Sequence, residues 1–130
     1  MMLNINEYKI DEEELECNHL SSCIAICVHD TNARSGGMFH YNSGTIDEFM
    51  SFFDKQTSVV LLYGGGSYIP ELQASGKINA DYVVNWLESN GYTIKSKELG
   101  GNFVRSVRFY PETGIVQFSA SSYNPKPVRK

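Results

Sequence analysis

Long hydrophobic runs are missing from this sequence, and no stretch approaches the roughly 20 apolar residues that a membrane-crossing helix needs. The opening M-M-L-N-I-N-E also lacks the basic and then apolar order of a secretory signal, so the expected compartment is the cytoplasm. Cysteine is scarce and odd in number, three without framework spacing, which excludes a secreted disulfide scaffold and leaves free thiols. Neither charge sign dominates: 11 Lys and Arg stand against 15 Asp and Glu. The acidic run Asp11 to Glu14 with Glu16 reads as a solvated edge, and the terminal Lys126, Arg129 and Lys130 do not make a nucleic-acid surface. No phosphate-loop pattern follows the triple glycine Gly64, Gly65, Gly66, and no cofactor is expected.

What is present is ordinary globular chemistry with one concentration. With 130 residues, 42% of them apolar, the chain suits a single domain, expected over 1–120. Residues 121–130, with Pro125 and Pro127, read as a flexible tail. All three cysteines and all three histidines fall between Cys17 and His40. A thiol needs a nearby base or cation to act as a nucleophile at neutral pH, and imidazole titrates in that range, so chemistry at this cluster is the first hypothesis.

Cys23 to Val28 alternates Cys23, Ala25 and Cys27 with Ile24, Ile26 and Val28, the pattern of a strand buried on both faces. Met38 to Tyr41 returns as a second strand after the turn at Arg34 to Gly37, and the resulting hairpin brings Cys23 and His40, seventeen positions apart, into proximity. T-I-D-E at 45–48, a capping-box pattern, predicts a helix over 46–56. Ser58 to Tyr63 is a core strand. Asn79 is the expected N-cap of a second helix running through Val83, Val84, Trp86 and Leu87 to Gly91. Strands are expected over 92–96, 103–110 and 115–119, the last two as a hairpin around P-E-T-G. The class is therefore α/β. Zinc is the rival reading of the Cys and His cluster, but the set lacks a tight C-x-x-C turn and a strand spreads positions four apart by about 13 Å, so no metal is expected.

L-S-S-C-I-A-I-C-V-H-D followed by G-G-M-F-H resembles the catalytic hairpin of the chemotaxis receptor glutamine deamidase family, CheD. E-L-G-G-N at 98–102 and Arg105, Val107, Phe109, Pro111, Thr113, Gly114 and Val116 are similar to the family's closing pattern, so the resemblance covers roughly 15–45 and 77–118. It implies a layered sandwich of mostly antiparallel sheet with two main helices, a fold shared with toxin deamidases such as the cytotoxic necrotizing factors. It also implies a cysteine-dependent hydrolase that converts protein glutamine to glutamate plus ammonia, with glutamyl methylesterase activity as a second outlet. Carried over by position, Cys23 is the nucleophile and His40 the catalytic histidine. Cys17 stands where the family usually has a Thr that supports the histidine, and Ser21 where it usually has Gly.

The oxyanion donors expected from the residues are backbone amides around Ser22 and Cys23. Ser21, Gly100 and Gly101 are candidates to border the substrate pocket. Implied partners are a protein substrate with an exposed glutamine, such as a chemotaxis receptor, and a CheC-type phosphatase; no nucleic acid and no membrane insertion are expected. The alternative function is a catalytically weakened binding module of the same fold, docking on a chemotaxis-type partner.

Overall fold

The computed structural model describes residues 1–122. Ten elements follow in chain order: β1 (Tyr8–Ile10), β2 (Leu15–Leu20), β3 (Ile24–Asp30), β4 (Ser35–Tyr41), α1 (Asp47–Met50), β5 (Ser58–Gly64), α2 (Pro70–Ser89), β6 (Thr93–Leu99), β7 (Phe103–Tyr110) and β8 (Ile115–Ser122). β8 takes in Ser121 and Ser122, the first two residues of the expected tail, and the rest of that tail lies outside the described residues.

Two sheets stack face to face, one of five strands in the order β1-β4-β3-β5-β6 and one of three in the order β2-β7-β8. Every named pairing is antiparallel except β5 with β6. That parallel pair needs a long crossover, and α2 supplies it.

The alternation on β3 sets the layers. Ile24, Ile26 and Val28 face the helix side, where they join Phe49, Met50, Phe53, Val83 and Leu87. Cys23, Ala25 and Cys27 face the other way and pack between the sheets with Leu15, Cys17, Leu20, Val107 and Phe109. The α/β sandwich is thus helices, five strands, three strands, with a dry core on each side of β3.

Both helices depart from the pattern read in the sequence. Over 46–56 the structure keeps only one helical turn, with no side-chain cap from Thr45. Phe52 and Phe53 N–H groups bond to Phe49 and Met50 carbonyls three residues back, and Asp54 then closes a turn by accepting from the Gln56 N–H at 2.8 Å. Phe53, four residues after Phe49, keeps to the same side of the chain and packs beside it in the core. α2 begins at Pro70, nine residues before Asn79, because a proline with its fixed φ and missing N–H is well suited to the first helical turn. Asn79 is therefore in mid-helix.

Gly76, inside α2, is the price of that helix lying close to the sheet. A Cβ there would stand 2.4 Å from the Gly65 carbonyl oxygen and 2.6 Å from its carbon. Gly76→Ala gains about 1 kcal/mol of helix propensity but drives a methyl into main chain that cannot rotate away, an overpacking cost of roughly 1–3 kcal/mol. The expected result of a urea titration is net destabilisation; an unchanged or raised midpoint would mean that α2 is not held against the Gly65 turn.

Candidate active site

Cys23 immediately precedes β3 and is only 7% exposed. Its carbonyl accepts the Gly65 N–H at 2.9 Å, and a Cβ on Gly64 would lie 2.2 Å from the same oxygen. Gly64 and Gly65 have φ of 121° and 68°, so this turn combines close approach with left-handed backbone, both of which favour glycine. The triple glycine is thus a clamp on the Cys23 main chain. On the other side of the preceding peptide, Asn79 Nδ2 reaches from α2 and donates to the Ser22 carbonyl at 2.8 Å. The peptide joining Ser22 to Cys23 is held from both flanks.

His40 lies on β4 opposite Ala25, so its side chain shares the inner face with Cys23 and is the diagonal neighbour of that residue across the ladder. Diagonal neighbours are roughly 7–8 Å apart between main chains, within reach of long side chains. The ring is buried, 5% exposed. Nδ1 lies 3.2 Å from the Leu3 carbonyl oxygen, and Nε2 is buried with no hydrogen-bond partner among the described residues. A carbonyl only accepts, so Nδ1 carries the proton and Nε2 presents its lone pair. Leu3 itself bridges the sheets, because its N–H donates to the Glu16 carbonyl on β2 at 2.8 Å.

Burial drives the His40 pKa down, partly opposed by the Leu3 hydrogen bond, and burial drives the Cys23 thiol up, partly opposed by Ser22. The resting pair is a neutral imidazole and a protonated thiol. Asn42, one residue beyond β4, completes the arrangement: its Oδ1 accepts from Ser22 Oγ at 3.3 Å and from the Cys23 thiol at 3.6 Å. Ser22, Asn42, Leu72, Ser75, Ile78 and Asn79 line an open cleft of about 420 Å³. The thiol meets that cleft through Asn42.

The remaining expected residues divide. Cys17 is fully buried in the same inter-sheet cluster as Cys23, and burial, then the nearby Cys23 charge, pushes its thiol far above the ordinary range. The histidine nitrogen that it was expected to support is instead satisfied by Leu3. Ser21 Oγ is buried without a partner among the described residues, and the left-handed residue ahead of Cys23 is His19, with φ of 53°, rather than Ser21. Gly100 and Gly101 do not line the cleft beside Ser22. They border a second groove of about 460 Å³ with Gln73, Lys77 and Lys97, and the Gly100 N–H donates to the Gly64 carbonyl at 2.9 Å, bracing the glycine clamp.

Cys27 packs against Met38, with the two sulfurs 3.5 Å apart. His29 is on β3 and pairs its Nδ1 with the Pro111 carbonyl at 2.7 Å. The two arginines of β7 divide, Arg105 inside and Arg108 exposed. Arg105 is buried, with Nη1 on the Gly64 and Gly100 carbonyls, and Arg108 pairs with Glu14 and Glu16 at 2.9 and 2.8 Å. Those two glutamates are therefore partnered members of an edge read as merely solvated.

A family model described as CheD chemotactic sensory transduction matches residues 46–120, more than half of the chain. The chain belongs to the CheD family. Among its relatives is "Probable chemoreceptor glutamine deamidase CheD" of Jannaschia sp. (strain CCS1), 30% identical over 122 residues, covering 78% of this chain and 69% of that protein. Proteins of the same name from Cereibacter sphaeroides (strain ATCC 17029 / ATH 2.4.9) and Hahella chejuensis (strain KCTC 2396) are 31% and 28% identical over 80% and 84% of this chain. The chain spans 62% and 64% of the length of those two CheD relatives.

Three residues of the site carried no signal that pattern reading used. Leu3 acts through its carbonyl, so any side chain would serve. Asn79 looked like a helix cap because Asn favours caps. Asn42 lay past the end of a strand motif. The polar lining of α2, Ser75 and Asn79 one turn apart, was the available clue.

The His40 assignment makes a measurable statement. Because its folded pKa is lowered, the unfolded chain binds a proton first on acidification, and stability falls as pH drops through 6.5, the ordinary imidazole value, until the folded group itself titrates. NMR should place the His40 midpoint below 6.5, and His40→Gln should flatten this part of the stability profile. A midpoint above 6.5 would mean a resting ion pair with the Cys23 thiolate.

Proposed function

We propose that this CheD-family chain hydrolyses the side-chain carboxamide of glutamine in a protein substrate, with Cys23 as nucleophile and His40 as proton shuttle. The observation that carries the reading is the unpartnered Nε2 of a buried, tautomer-fixed imidazole on the same inner face as a buried thiol. An unpaired buried acceptor is costly in a purely structural role, and a thiol proton is a suitable occupant.

In this scheme Nε2 accepts the Cys23 proton as sulfur attacks the amide carbon. Starting from two neutral groups, the proton and the new bond move together, so charge forms only when substrate is present. The oxyanion falls to backbone amides around Ser22 and Cys23, on the peptide that Asn79 and the glycine clamp hold. His40 returns the proton to the departing ammonia, and water then cleaves the thioester, restoring the thiol. A γ-methyl ester would follow the same course with methanol leaving, which supports a methylesterase outlet. Cys17 serves here as a buried neighbour that packs behind Cys23, and Ser21 edges the approach to the thiol.

The names of the relatives favour a chemoreceptor as the substrate. A second reading, a binding module for a partner such as a CheC-type phosphatase, has one observation in its favour: Ile78, 70% exposed on α2, and Ile69 give that helix an apolar outer rim. Ile69→Glu separates the two, since Ile69 lies outside the cleft lining and the new charge would weaken such a complex without touching the thiol's surroundings.

A chemoreceptor cytoplasmic fragment incubated with the protein should release ammonia and show the mass gain of an amide-to-acid exchange. Cys23→Ala should abolish turnover, and His40→Ala should slow it by about 10²–10⁴-fold, the usual worth of a positioned general base. Turnover retained in Cys23→Ala would overturn the assignment.

A further inference from the structure

We propose that Asn42 makes this site select a carboxamide over an ester. The inference rests on the hydrolase reading above and adds the group that reads the leaving atom. Extending the β3–β4 register one place beyond Ile24 and Tyr41 sets Asn42 opposite Cys23, on the face shared with His40. Its main-chain N–H is held by Asn6 Oδ1 at 2.8 Å, so the residue is fixed at the strand end rather than loose in a loop. Its side-chain oxygen is a focus of two donors, Ser22 Oγ at 3.3 Å and the Cys23 thiol at 3.6 Å, and Asn42 lines the cleft through which substrate arrives.

An acceptor aimed at the nucleophile does nothing for the thiolate, which it repels. Its use lies with the substrate. When the carbonyl carbon of a glutamine side chain comes within bonding distance of Cys23 Sγ, the NH₂ on that carbon is brought close to whatever accepts hydrogen bonds beside the sulfur. Asn42 Oδ1 is such an acceptor. The incoming N–H takes the place of the thiol hydrogen, and the freed thiol turns to the open lone pair on His40 Nε2. A methyl ester offers no hydrogen there and sets an ester oxygen against the amide oxygen, leaving the acceptor unpaired.

The bonds balance without any further reagent. C–S forms first as the carbonyl π bond opens to the oxyanion; the thiol proton travels through His40 to nitrogen, and as the oxyanion re-forms C=O the C–N bond breaks and NH₃ leaves still hydrogen-bonded to Asn42. Water then replaces sulfur to give the acid and the original thiol. Asn42 exchanges no proton, so it acts as a specificity-determining contact and not as an acid or base.

The experiment compares kcat/KM on two forms of one receptor fragment, with glutamine or with glutamate γ-methyl ester at the modified positions. Asn42→Leu, similar in volume, or Asn42→Ala should lower the amide-to-ester ratio about tenfold, the loss falling in the amide arm. Asn42→Asp, which keeps an acceptor oxygen and adds charge near sulfur, should slow both arms yet keep the ratio. An unchanged ratio in the Leu and Ala variants would overturn the inference, as would an Asp variant that loses the ratio, which would assign the work to the Asn42 NH₂. Wild-type protein inert on both fragments would instead remove the hydrolase reading itself, and this inference with it.

Discussion

The close approach of main chain to main chain at the Gly64–Gly65 turn is the constraint on which the rest of this structure depends. The turn grips the Cys23 carbonyl on one side and receives Gly76 of α2 on the other, and each contact is closer than a Cβ permits. With α2 seated there, Asn79 reaches the Ser22 carbonyl and Ser75 and Ile78 become a wall of the cleft. The turn is braced in its own right, because the Gly100 N–H and Arg105 Nη1 both donate to the Gly64 carbonyl. Moving any of these four segments moves the Ser22–Cys23 peptide.

Electrostatics at the site follow from the sandwich itself. Cys23 and His40 face the dry space between the sheets, where charge is expensive, so each is held in its neutral form. Leu3 links that balance to the fold by spanning from β2 to the imidazole, fixing the tautomer with a main-chain atom. A buried neutral pair protects the thiol from adventitious chemistry at rest. In the proposed hydrolysis, reactivity begins when a substrate completes the polar set that Asn42 and Ser22 start.

Much of this was legible in the chain. The two-faced alternation of β3 follows from apolar residues at every position of a strand with a period of two, and the structure sorts those residues onto opposite layers as that period requires. That Cys23 and His40 share one face of the β3–β4 hairpin was legible because a hairpin register converts sequence separation into a ladder. Helix limits were not. T-I-D-E has the form of a capping box, yet the helix is capped at Ile46 without a side-chain bond and gives way after one turn to hydrogen bonds three residues back. Asn79 was misplaced by a preference rule, since only tertiary packing shows that Pro70 starts the helix and that the Asn amide is spent on Ser22. Arg105 is a charged strand residue, a kind that usually stays in water, and its burial depends on the carbonyls of Gly64 and Gly100, both glycines with left-handed φ and one of them distant in sequence.

The central claim is that Cys23 becomes covalently acylated during turnover, and mass spectrometry of acid-quenched protein tests it most directly. The account predicts a thioester adduct in the proteolytic peptide containing Cys23, accumulating when water attack is slowed, formed far more slowly when His40 is replaced by Ala and absent when Cys23 is. An adduct on Cys17 or Cys27, or product formed with no acyl intermediate on Cys23 under the same quench, would contradict it.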